Sequence, residues 1–154
     1  MKHRPTWTAL TLIPALRILM MLVPTIFFDS AAKAQSVTVQ FLSGRNGRPV
    51  AKGVRIWAFF NNESGRHILD LHTDGQGQVE FDANGAKTFQ VSPVGYIDCG
   101  ERPVGSSPRD YAIDEILKAG LLTRNDCGHI NAEPLRGRLL YFVRRATWWE
   151  LFKN

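Results

Sequence analysis

Thr73 to Asp82 reads TDGQGQVEFD, a run of turn chemistry followed at once by strict alternation. Asp74 can hydrogen-bond its own backbone, and Gly75 is expected to supply the positive φ of a tight reversal. Gly77 is placed to carry a bulge or to relax the start of the next strand. Gln78-Val79-Glu80-Phe81 then repeats every two residues, with Val79 and Phe81 inward and Gln78 and Glu80 outward. The stretch predicts a β-hairpin corner.

The same period extends on both sides. Ser36 to Ser43 (SVTVQFLS) puts Val37, Val39 and Phe41 on one face and Thr38 and Gln40 on the other. Gly44 to Gly53 is a loop punctuated by Asn46-Gly47 and Pro49. In Val54 to Asn61, one face is Val54, Ile56, Ala58 and Phe60, and the other is Arg55, Trp57 and Phe59. A strand apolar on both sides is usually central and covered on both faces, so a layer over Trp57 and Phe59 is expected. His67 to Thr73 sets Leu69 and Leu71 against Ile68, Asp70 and His72. Ala83-Asn84-Gly85 is the next turn, and Ala86 to Tyr96 reads as one further strand. Five short strands joined by Gly, Asn and Asp turns predict a mainly β, antiparallel sandwich.

The pattern then breaks. Ser107 to Gly120 reads as a helix, with Ser107 as N-cap, Pro108 at the first position and Gly120 at the end. Tyr111, Ile113, Ile116 and Leu117 form its apolar face, and Asp114 and Lys118 are spaced as an ion pair. Arg138 to Arg145 is a last strand. Thr147 and Glu150 have capping-box spacing, predicting a final helical turn that carries Trp148, Trp149, Leu151 and Phe152.

Residues 1–34 stand apart. Lys2, Arg4 and Arg17 precede the apolar run Ile18 to Phe28, and Ala32-Lys33-Ala34 ends in a small-residue exit. These are the parts of a secretory signal peptide, with cleavage expected between Ala34 and Gln35. The alternative is a retained anchor, and the run is shorter than the ~20 apolar residues a spanning helix needs. Residues 35–154 then form one domain, and membrane contact is expected only through an uncleaved leader. The whole chain has 19 basic and 14 acidic side chains; removing Lys2, Arg4, Arg17, Lys33 and Asp29 leaves 15 and 13, a net of +2. That balance gives little reason to expect a nucleic-acid partner.

The two cysteines, Cys99 and Cys127, both lie in the mature region. In an oxidising compartment an even count predicts a disulfide, and closing a loop of about 29 residues is worth roughly 3–4 kcal/mol. The chain has no C-x-x-C and no second cysteine pair for zinc.

Residues 36–96 resemble the prealbumin-like, immunoglobulin-type β-sandwiches, in particular the carboxypeptidase regulatory-like domains of exported bacterial proteins. The stretches that carry the resemblance are VTVQFLSGRNGRPVAKGVRIWAF, TDGQGQVEF and FQVSPVGY. The resemblance implies a non-catalytic accessory, structural or binding module, in some cases for carbohydrate, with residues 97–154 as an elaboration. One enzyme type shares the superfold, the hydroxyisourate hydrolases related to transthyretin. Their Tyr-Arg-Gly-Ser-like tail is missing here, where the chain ends WWELFKN, and His67 and His72, five apart, face opposite ways in a strand.

Other chemistry is thinly signalled. Asp70, His72 and Asp74 share a parity and could act as acid and base or bind a metal, though a solvated outer face is the plainer reading. Cys127 beside His129 is a nucleophilic pair only if Cys127 is not bridged. Asn62-Glu63-Ser64 matches a glycosylation acceptor. No cofactor or metal site is predicted. The aromatic set is the strongest binding signal: Trp57, Phe59, Trp148 and Trp149 form either a ligand platform or, as expected here, a surface covered by the helix and the C-terminal turn. The partner would be a protein or a glycan.

Overall fold

The computed structural model describes residues 36–62, 65–83, 85–100 and 108–151. The leader with its Ala34–Gln35 junction, the Ser107 cap, Glu63-Ser64 of the acceptor and Phe152 lie outside the described residues.

The elements are β1 (Ser36–Ser43), β2 (Arg55–Asn62), β3 (Gly65–His72), β4 (Gln78–Asp82), β5 (Thr88–Pro93), β6 (Tyr96–Asp98), β7 (Tyr111–Ala112), α1 (Ile113–Ala119), β8 (Leu121–Leu122), β9 (Arg138–Arg145) and α2 (Trp148–Leu151). They form two sheets, one ordered β4-β1-β9-β6 with β8 also on β9, the other β3-β2-β5-β7. Between the sheets lie Val37, Val39 and Phe41 of β1, Ile56, Ala58 and Phe60 of β2, Val79 and Phe81 of β4, Phe89 and Val91 of β5, and Leu139, Tyr141 and Val143 of β9, all buried. An aromatic chain crosses this core through Phe60, Phe81, Phe89, Tyr111, Tyr141 and Phe41, with centroid separations of 5.1 to 6.0 Å. The inward alternation is the one the sequence predicts.

The sandwich is not purely antiparallel. β1 and β9 run parallel from Thr38–Arg138 to Ser43–Val143, and β8 also runs parallel to β9. A period of two says which residues face inward and nothing about strand direction. Parallel neighbours need a long connection, and nearly the whole domain lies between β1 and β9. Leu140 and Phe142, of outward parity in β9, are buried as well, so that strand is covered on both faces.

The hairpin corner is present, with one glycine exchanged for another. The Asp74 carboxylate accepts from the N–H groups of Gln76 and Gln78, each at 2.8 Å. The positive φ belongs to Gly77 (φ 68), whereas Gly75 lies outside that region. Gly77 also approaches the next strand: its carbonyl accepts from Phe41 N–H at 2.9 Å. A Cβ there would lie 2.9 Å from the Phe41 carbonyl and 3.0 Å from the Val50 nitrogen. Gly77→Ala is expected to destabilise by about 1–3 kcal/mol, from a left-handed conformation and a backbone clash together. Gly75→Ala, with open space around it, is expected to cost under ~1 kcal/mol. Urea unfolding of the two variants checks the order.

Two expected elements are divided. Ala86 to Tyr96 is not one strand: Gly95 (φ 79) turns the chain so that β5 stays in one sheet and β6 joins β9 in the other. Pro93, which has no N–H to give, stands at the break. The helix is Ile113–Ala119 only, and Tyr111–Ala112 pairs with β5 instead. Packing overrides the local signal there, because the buried Tyr111 ring meets Phe89 and Tyr141. Ala112 occupies the N-cap position without a side-chain cap. Gly120 ends the helix as predicted (φ 78), its N–H donating to the Ile116 carbonyl.

Candidate functional site

The outer face of the β3-β2-β5-β7 sheet is where the aromatic expectation is tested. In β2 the register places Trp57 between Asp70 and Ser92, and Phe59 between Ile68 and Gln90. Trp57 is 40% exposed and Ile68 60%. Phe59 is half-buried. The expected cover by α1 and the C-terminal turn is therefore corrected. α1 directs Ile113 and Ile116 into the core, beside β1, β7 and β9, and has no apolar stripe left for another surface. Arginines partly take the place of that cover. The Arg66 guanidinium lies 4.7 Å from the Phe59 ring centroid, and that of Arg55 lies 5.5 Å from Trp57. Arg55 also donates to the Asp70 carboxylate, with its Nε 2.9 Å from Oδ1. That bond holds the Asp70 carboxyl below its usual range. The face is thus a row of rings and guanidiniums with acceptors alongside.

Trp148 and Trp149 are more exposed still, at 62% and 73%. They sit on α2 with their rings edge-to-face, 4.7 Å apart. Half of the capping box is formed: Thr147 N–H donates to Glu150 Oε2 at 2.8 Å, but the Thr147 hydroxyl also donates to that oxygen, at 2.7 Å, and Glu150 N–H goes to the Thr147 carbonyl instead. Arg144 clamps the same carboxylate through two bonds of 2.8 and 2.6 Å. Ala146 N–H reaches the Gly95 carbonyl, so α2 stands at the end of the sandwich where β5 turns into β6. The two aromatic groups expected as one strip are separate: Trp149 pairs with Trp148, whereas Trp57 and Phe59 each pair with an arginine.

Arg144, and secondarily Thr147, hold the Glu150 carboxyl well below the usual carboxylate range. A depressed carboxylate contributes fully above its unfolded pKa of about 4.3 and loses that contribution as pH falls through its folded value. The near-UV circular dichroism of the Trp148–Trp149 pair is therefore expected to stay constant down to about pH 5 and to change only below about pH 4. A Glu150→Gln variant should show the low-pH signal already at neutral pH. A wild-type transition at pH 6 would contradict the clamp.

The catalytic alternatives are not assembled. Cys99 and Cys127 form the expected disulfide, with Cα atoms 5.3 Å apart, so Cys127 and His129 are no nucleophilic pair. The bridge lies beside the start of the β1–β2 loop, where a Cβ on Gly44 would sit 2.6 Å from the Cys99 sulfur. Although it brackets α1 in sequence, it does not hold α1 over Trp57, since α1 packs into the core. His67 and His72 have opposite parities in β3, and Leu69 and Leu71 face the core. A cleft of about 270 Å³ between the sheets is lined by Thr38, Leu71, His72, Asp74, Gln78, Val79 and Glu80. Its acids already serve the fold, Asp74 in the turn and Glu80 as acceptor from the Ser36 hydroxyl. Among the described residues no three His, Cys, Asp or Glu side chains group to hold a metal. Among the same residues no helix is long and apolar enough to cross a membrane.

Arg66 is the site residue that sequence reasoning missed, and Arg55 and Ile68 were placed on their strand faces without a role in the site. The signal was available: Ile68 shares a parity with Asp70 and His72, and Arg66 lies two residues before it. No family model matches the chain, and no curated protein matches it.

Proposed function

We propose that the chain is an exported, non-catalytic binding module that works through the outer face of the β3-β2-β5-β7 sheet. One observation carries this reading: Trp57 and Ile68 are exposed on a regular sheet face where the strand pattern calls for a covering layer. An apolar group left open on a rigid sheet, with Asp70, Gln90 and Ser92 around it, is the composition of a binding surface. The Cys99–Cys127 bridge fits an oxidising compartment, which supports export. The stretches that resemble the carboxypeptidase regulatory-like domains form β1, β2, β4 and β5, and that likeness supports the accessory role.

A carbohydrate ligand is the second reading. Trp57 offers a ring for stacking, and the polar neighbours offer donors and acceptors for hydroxyl groups. The arginines on the rings are a modest obstacle, since an exposed cation–π contact is worth about 0.5–1 kcal/mol.

The test is calorimetric titration with a panel of soluble polysaccharides, using wild type, Trp57→Ala and the double variant Trp148→Ala/Trp149→Ala. Binding weakened about tenfold or more by Trp57→Ala alone is expected, the loss of one stacked ring. Binding lost only in the double variant moves the site to α2 and refutes the sheet-face platform. Absence of binding to every glycan rejects the carbohydrate reading and leaves a protein ligand.

A further inference from the structure

We propose that β3 is a self-pairing edge: it joins antiparallel to β3 of a second copy, with a two-fold axis at Ile68, so that the four-stranded sheet continues into its partner. β3 is the outer strand of the order β3-β2-β5-β7. It is eight residues long and pairs with β2 residue by residue, without a bulge. The direction of its peptide groups follows from the ladder. Thr73 N–H donates to the Val54 carbonyl, and on the other side of β2 Val94 N–H donates to the Arg55 carbonyl. Alternation then turns the peptide groups of His67, Leu69 and Leu71 toward β2. Those of Arg66, Ile68 and Asp70 point outward, to an edge that no strand pairs with among the described residues.

Proteins usually blunt such an edge with charged side chains, proline, a bulge or a short strand. Of these β3 has only charges, Arg66 and Asp70, and they are of opposite sign, so they pair across a two-fold axis instead of repelling. At its centre stands Ile68, the most exposed aliphatic residue of the sheet face, with Arg66 two residues before it and Asp70 two after. An antiparallel copy centred on Ile68 sets Ile68 against Ile68 and each Arg66 against the other chain's Asp70. All of these residues direct their peptide groups outward, so each pair exchanges both of its backbone hydrogen bonds. Directly opposed side chains are close enough for the isoleucines to touch and for the opposite charges to pair. A slip of two residues sets Ile68 against Asp70 and Arg66 against His72 or Ile68. A slip of one turns outward peptide groups against inward ones. Only the centred register satisfies both charge and backbone.

Asp70, already bonded to Arg55, gains a second arginine across the axis, and the ring-and-arginine face of one copy runs on into the next. The proposal stands on β3 alone and needs no ligand, so it can fail while the platform reading holds, and the reverse. Pairing by one strand buries less than the ~1,200 Å² of a standard stable interface, so a dissociation constant of roughly 10–100 μM is expected.

The experiment is sedimentation equilibrium of the exported protein, purified with its disulfide intact, from about 1 μM to about 1 mM, a range that spans the expected constant. Wild type should pass from monomer to dimer. Ile68→Pro removes an N–H that β2 does not use, so it should leave the melting temperature close to wild type while weakening association by about tenfold or more. Ile68→Lys opposes two lysines and should do the same by charge. Asp70→Arg should abolish the dimer, and Arg66→Asp/Asp70→Arg should restore it in part, because the pair across the axis is then only reversed. A wild-type monomer at the highest concentration overturns the proposal. A dimer indifferent to both Ile68 variants, or a charge reversal that fails to rescue Asp70→Arg, overturns it equally. If Ile68→Pro proves unfolded, the lysine variant and the reversal carry the test.

Discussion

Phe89→Ala is expected to lower the stability of the domain by about 3–5 kcal/mol, the range for truncating a buried phenylalanine. Phe89 is 1% exposed and touches three rings, Phe81 at 5.2 Å, Tyr111 at 5.9 Å and Phe60 at 6.0 Å. Phe81 belongs to one sheet and Phe60 to the other, so Phe89 helps join the two layers. Its neighbours cannot collapse into the space, because β5 is held by ladders to β2 and β7 on either side. Against a total stability of ~5–15 kcal/mol this is a large share. Guanidinium unfolding with the slope held common to both proteins would measure it. A loss under about 1 kcal/mol would mean that the aromatic layer is not packed as described.

Removing the Cys99–Cys127 bridge, as Cys99→Ala/Cys127→Ala, is expected to cost about 3–4 kcal/mol and to lower Tm by roughly 15 °C. The bridge closes a separation of 28 residues, and that span contains β7, α1 and β8. The unfolded chain gains the freedom of that whole loop. The folded state also loses packing, since Gly44 lies against both cysteines and Asn125 donates from Nδ2 to the Gly44 carbonyl at 3.0 Å. Differential scanning calorimetry of the double variant, which has no free thiol to scramble, gives the value. An unchanged Tm would show that the bridge is not a staple of the fold.

Most inward-facing positions were legible in the sequence, because alternation is a local signal. β1 and β9 have the bounds their patterns predict, and Thr147-x-x-Glu150 announced α2 three residues before the turn closed. The directions of β1 and β9 were not legible, since parallel pairing is decided by chain path and not by side-chain period. Ala86–Tyr96 read as one strand although Pro93 and Gly95 were both visible as punctuation; such residues mark a break, and only pairing decides that the chain changes sheet there. Ser107-Pro108 carried a sound helix start, yet burial of the Tyr111 ring outweighs a local cap. The candidate site was half visible. Trp57 and Phe59 were found as the outer face of β2, but a pattern apolar on both sides cannot tell a covered face from one left open for a ligand.

Export with an intact bridge is the condition on which the proposed function rests, and one measurement tests it. The protein is purified from the exported fraction of its host, and its intact mass is taken before and after reduction, with alkylation in each case. The expected result is a chain beginning at Gln35, unalkylated until reduction and doubly alkylated after it. A chain that retains residues 1–34 and takes up both alkyl groups without reductant would contradict export and the disulfide together.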